Sequence, residues 1–282
     1  MSESGGLLGS NRKIERASGL HYVKGESHQQ LTEPLWPNIT KNQLKYIRLA
    51  LAVVDTLTGI YDAGITGWKP FLWYYSDWAL TFTLITQWSL FIVHFFPFNA
   101  KLNNAVHTMY QINLPMEVAI TLLYWKFFYS HGSMHINDIN TYAHPVFLYI
   151  VPALFLMIEY SLNQIMFDYK KIIHLMILYF IYMPFTYLGK FVLGYFPYPF
   201  INWSTWYSYA VLIALAIMQL LAFFGLAFLS NYLKSRYLMK NMEQQSIYNL
   251  DRGARAADYE VQMNDMRNNP NQQFKRLDTP KR

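Results

Sequence analysis

YSYAVLIALAIMQLLAFFGLAFLSNYL, residues 207–233, runs for 27 positions without one Asp, Glu, Lys or Arg. Coiled as an α-helix it is ~40 Å long, more than the ~30 Å hydrocarbon thickness of a bilayer. The stretch reads as a transmembrane span. Working outward from it, five further segments read the same way: about Leu44–Tyr61, Trp73–Phe96, Leu114–Tyr129, His144–Phe167 and Ile172–Phe191. Arg48 and Asp55 interrupt the first of them. In the fourth, Pro145 falls in the opening turn, where its missing N–H costs nothing. The expected fold class is therefore all-α, a polytopic transmembrane helix bundle of about six spans over residues 44–235. A polar N-terminal extension, 1–43, is expected as irregular, surface-lying chain, and a basic polar tail covers 236–282.

Composition agrees. Only 14% of the 282 residues are charged and 53% are hydrophobic, whereas about a quarter of an ordinary soluble domain is charged. The charges gather in the two ends, and the net +6 comes mostly from there. A basic tail beside a membrane implies orientation and contact with anionic lipid rather than nucleic-acid binding. The absence of cysteine excludes disulfides, thiol nucleophiles and thiolate metal sites. The opening MSESGGLLGSNRKIER lacks the apolar core of a signal peptide.

Lys and Arg set an orientation. With six spans, Lys41, Lys45, Arg48, Lys101, Lys170, Lys171, Lys234, Arg236 and Lys240 share one side, against Lys69, Lys126 and Lys190 on the other. Both termini are thus expected to face the cytosol or a mitochondrial matrix. The membrane itself is left open between an endomembrane (endoplasmic reticulum or plasma membrane) and the mitochondrial inner membrane. The loop 131–140 and the aromatic elbow GYFPYPFINW, 194–203, fall on the opposite, outer side, with Thr81 and His144 just inside that boundary.

Three groups of residues could carry chemistry. Asp77, Thr81 and His144 lie under the outer loops. A threonine hydroxyl needs a base to attack at neutral pH, and histidine is the usual one. The competing reading is a threonine that bonds the carbonyl one turn back. His131, His135, Asp138 and His144 offer metal-ligand side chains, but the Gly/Asn/Asp-rich run between them reads as loop, so no metal site and no cofactor is expected. Glu117, Glu159 and His174 are ionisable groups within spans, which face a bundle interior and pair there; a polar lock between helices and a proton relay are both open. Arg48 and Asp55, seven apart, share a face and meet the same seam. Trp73, Tyr74, Tyr75 and Trp78, with Tyr195 to Trp206, form an interfacial aromatic belt.

Several pieces together resemble the androgen-induced membrane proteins and their rolling-stone relatives, multi-pass proteins of about six spans. WALTF (78–82) is similar to that family's Trp-x-x-Leu-Thr-Phe, one residue shorter here. LPMEVAITLLYWKFFY (114–129) and YAHPVFLYIVPALFLMIEY (142–160), with His144, Pro152 and Glu159, resemble its third and fourth spans. GYFPYPF (194–200) is similar to its Gly-x-x-x-Tyr-Pro-Phe. The resemblance implies an intramembrane threonine hydrolase of fatty-acid esters, with Thr81 as nucleophile and His144 as base. Tyr198, Pro199 and Phe200 are then a lid that excludes water and admits an acyl chain. The expected partners are the bilayer and an acyl-ester substrate. The alternative is a non-catalytic accessory subunit of a large membrane complex, such as a protist's respiratory assembly, docking through its tails and aromatic belt.

Overall fold

The computed structural model describes residues 27–96, 99–128, 143–198 and 201–238, and four isolated positions beyond. Among them every regular element is helical. Helix α1 is Ser27–Thr32, α2 Lys41–Thr66, α3 Tyr75–Ile92, α4 Ala100–Leu123, α5 Val151–Leu162, α6 Ile172–Leu193 and α7 Trp206–Leu229. Local chemistry explains several boundaries. Thr40 and Gln43 form a reciprocal capping box at the start of α2, with bonds of 3.2 and 2.7 Å. Asn99 caps α4 through the amide of Leu102 at 3.0 Å. Gly194 ends α6 at φ +82°, a conformation that side chains other than glycine's rarely adopt.

Four helical stretches are long and apolar enough to cross a membrane: Lys41–Thr66, Ala143–Leu162, Tyr169–Leu193 and Trp206–Leu238. The chain is thus a membrane-embedded helical protein. Helices α3 and α4 lie among these four and each carry a row of buried polar groups: Ser76, Asp77, Thr83, Thr86 and Gln87 on α3, and Asn103, His107, Gln111, Asn113 and Glu117 on α4. In the packing, α2 lies on α3, α3 on α4 and α4 on α7, while α5 touches α2, α3 and α4.

Two expectations change in detail. The fourth apolar segment does not stay helical to Phe167: α5 stops at Leu162, and Asn163 turns the chain by accepting the Ile165 amide at 2.9 Å. The last part of the N-terminal extension is not surface chain either. Leu31 is fully buried and Leu35 nearly so. The Gln30 amide oxygen meets His107 at 3.1 Å, and the Leu35 N–H bonds the Leu162 carbonyl at 2.7 Å. An apolar Leu-x-x-x-Leu in a polar stretch is enough to seat this segment under the bundle.

Wide π-type turns extend α4 at Tyr124–Phe128 and precede α5 at Val146–Ile150. They meet: Tyr124 stacks on Tyr149 with ring centroids 3.8 Å apart, and the Thr121 hydroxyl donates to the Tyr149 carbonyl at 2.5 Å. At the opposite end a polar clamp closes the bundle. Arg48, fully buried, forms an ion pair with Glu159, also fully buried, and donates to the Leu90 carbonyl at 3.2 Å. Asn163 bonds Glu159 at 3.1 Å, and Lys234 bonds Asn163 at 2.9 Å while sitting 4.2 Å over the Tyr160 ring.

Candidate functional site beneath the elbow

The last turn of α2, the first turn of α3 and the start of the helical stretch leading into α5 converge beneath the elbow. Asp62, on α2, has a fully buried side chain and meets Nε2 of His144 at 2.6 Å; the His144 side chain stays 26% exposed. Asp77, in the first turn of α3, is buried close enough to Asp62 for the two carboxyls to interact electrostatically. Its Oδ1 accepts the Ser76 hydroxyl at 3.3 Å. The second oxygens of Asp62 and Asp77 have no hydrogen-bond partner among the described residues. Ser76 also lies close to the phenols of Tyr149 and Tyr198.

Ser76 also lines a cavity of about 290 Å³. The walls are aromatic and aliphatic: Tyr75, Tyr124, Tyr149, Tyr182 and Tyr198, closed on one side by α7 from Tyr207 to Leu215. The elbow is the roof. Tyr198 accepts the Tyr75 N–H at 2.9 Å, and its ring lies edge-on to Tyr74 at 5.5 Å. Burial, with Asp77 nearby, pushes the Tyr198 phenol well above its ordinary range, so it is a neutral donor at any physiological pH. Pro197 rests on α6 so closely that a Cβ on Gly189 would lie 2.5 Å from its ring. Pro199 and Phe200 lie outside the described residues, as do His131, His135 and Asp138.

The residues singled out in the sequence are not all gathered here. Thr81 is half-buried, and its hydroxyl donates to the Asp77 carbonyl at 2.7 Å. No hydrogen bond joins it to His144. Thr83, about 200° round the helix from it, faces α4, where it donates to Glu117 at 2.7 Å and accepts from Asn113 at 2.8 Å. Glu117, Glu159 and His174 form no single cluster: Glu117 belongs to Thr83, Glu159 to Arg48, and His174 is exposed on α6. Among the described residues no group of three or more His, Asp or Glu side chains is arranged to hold a metal.

Asp62 and Ser76 are the residues the sequence reading passed over. Asp62 carried a signal, since Arg48, Asp55 and Asp62 repeat at seven-residue intervals and so share one face of α2. The expected span ended one residue short of it. Ser76 carried none: a serine at a helix start is most often a cap.

No protein-family model, no curated protein and no solved structure matches the chain. The likeness to the androgen-induced proteins therefore rests on the short motifs quoted above.

Proposed function

We propose that the chain is a membrane-embedded hydrolase of long-chain fatty-acid esters, crossing the bilayer six times with its site at the outer end. The observation that carries this reading is an acyl-sized apolar cavity with Ser76 in its wall, next in sequence to Asp77, whose carboxyl interacts with the Asp62 that holds His144. An extended acyl chain suits walls of Tyr, Leu and Val, where its burial is worth ~0.8 kcal/mol per CH₂. With Nε2–H of His144 held by Asp62, the lone pair on Nδ1 is free to take a proton, the role a base needs beside a hydroxyl nucleophile. The hydroxyl attacks the ester carbonyl, its proton passes to His144, and the alkoxide leaves with that proton. Water reverses the sequence to release the acid. The Tyr198 and Tyr149 phenols, both on the cavity wall, are the donors for the oxygen that gains charge in the tetrahedral intermediate.

Two hydroxyls compete as nucleophile. Thr81 holds the position implied by the family resemblance, and Ser76 is the one on the cavity wall. The experiment is fluorophosphonate labelling of the full chain in detergent, with hydrolysis of a long-chain p-nitrophenyl ester followed in parallel. Wild type should label, and His144→Ala should lower turnover about 10²- to 10⁴-fold. Loss of labelling in Thr81→Ala or in Ser76→Ala identifies the nucleophile. Wild type of normal size-exclusion profile that neither labels nor hydrolyses would sink the reading.

A further inference from the structure

A second polar region, at the centre of the bundle, has no part in the ester chemistry. Asp55 of α2 is fully buried, and neither of its carboxylate oxygens has a hydrogen-bond partner among the described residues. Gln87 of α3 is fully buried too, with neither its amide nitrogen nor its amide oxygen partnered among those residues. Both lie at one level, because the neighbouring pair Thr56 and Trp88 is joined by a 3.0 Å bond between the antiparallel helices. Helix α4 supplies the rest. Asn113 spends its NH₂ on the Thr83 hydroxyl at 2.8 Å, which leaves Oδ1 unpartnered. Glu117 takes the Thr83 hydroxyl on one oxygen and interacts electrostatically with Asp55.

Two carboxylates and two carboxamides, sealed between three helices, need a counter-charge. An uncompensated ion in such surroundings costs several kcal/mol, and an unpaired buried amide adds to that. A proton alone answers poorly. Protonated Asp55 would still need an acceptor, and its oxygens make no hydrogen bond among the described residues. Oxygens that share one cation at 2.3–2.6 Å, by contrast, stand roughly 3–5 Å apart, beyond hydrogen-bond reach of one another. The donors are all oxygen, with no imidazole or thiolate, and such a set selects a hard cation. We propose that the bundle centre binds one hard cation, of the calcium or sodium type, between Asp55, Gln87, Asn113 and Glu117.

The test uses the full chain purified in detergent with EDTA and choline chloride, then titrated separately with CaCl₂, NaCl and MgCl₂. One of these should raise the melting temperature saturably by several degrees, as expected for a ligand that binds only the folded state. Equilibrium dialysis should give one ion per chain. Asp55→Asn, which keeps the shape and removes the charge, should abolish the shift and melt no lower than ion-free wild type. Gln87→Leu should fold whether or not Asp55→Asn does, and weaken binding about tenfold or more by removing a ligand. The proposal is overturned if no cation shifts wild type, if the shift survives in both variants, or if lowering the pH stabilises the wild type in place of any metal ion.

Discussion

Helices α2 and α5 meet twice, and the two meetings are mirror images in chemistry. At the end away from the elbow, here the inner end, α2 supplies the base, Arg48, and α5 the acid, Glu159; at the elbow end, here the outer end, α2 supplies the acid, Asp62, and α5's lead-in the base, His144. The inner pair is sealed, with both side chains fully buried and the guanidinium held also by the Leu90 carbonyl. An arginine there cannot lose its charge. The outer pair is built on an imidazole that is partly exposed, next to a second buried carboxyl, under a roof of aromatic rings. A permanent charge makes a clamp. A group that can gain and lose a proton makes a site.

The comparison breaks most sharply at the inner end. Glu159→Gln leaves Arg48 buried without its counter-ion and should lower stability by about 3–5 kcal/mol, read as a large fall in melting temperature in detergent. The double variant Arg48→Met with Glu159→Leu should recover most of that loss, because an apolar pair needs no compensation. If the single change proves harmless, the clamp is not what holds α2 to α5. The same acid-to-amide change at the outer end should behave oppositely. Asp62→Asn should leave the melting temperature within a few degrees and lower ester hydrolysis about 10²-fold or more, by misdirecting the His144 ring; the measurement is turnover beside thermal melting.

Two smaller effects sharpen the contrast. Gly189→Ala puts a Cβ into the Pro197 ring and should cost about 1–3 kcal/mol as overpacking. Its signature is faster proteolytic cleavage within 194–203, since the elbow must lift while the inner clamp stays shut. Thr40→Ala removes the capping box of α2 and should cost about 1 kcal/mol, with ester hydrolysis unchanged.

How far the sequence spoke depends on the residue. The uncharged run 207–233 declared its helix without help, because length and apolarity alone decide such a segment. The polar half of α4 was harder. Asn103, His107 and Gln111 lie ahead of the expected span at Leu114, yet they are buried within a helix that begins at Ala100. Periodicity shows that polar residues share a face but not that three neighbouring helices cover it. Charge asymmetry put Thr81 and His144 at one expected depth, under the same loops as Asp77. It could not say which side chain touches His144, for depth leaves the rotation of α2 and α3 open. Arg48 and Glu159 were each visible as ionisable residues in apolar runs, 111 positions apart; nothing in a linear pattern assigns one to the other.

The wide turn at 146–150 works as a vernier between the two meetings. From Arg48 to Asp62 is fourteen residues, which at about 100° each fall some 40° short of four full rotations. From His144 to Glu159 is fifteen, which in an unbroken α-helix would overshoot four rotations by about 60°. A π turn advances fewer degrees per residue, so five residues in that conformation wind the overshoot back. Both ends of the lead-in and α5 then face the same line on α2. One residue more or fewer in this short stretch would leave every helix intact, and the inner clamp with it, while His144 swung like a clock hand away from Asp62.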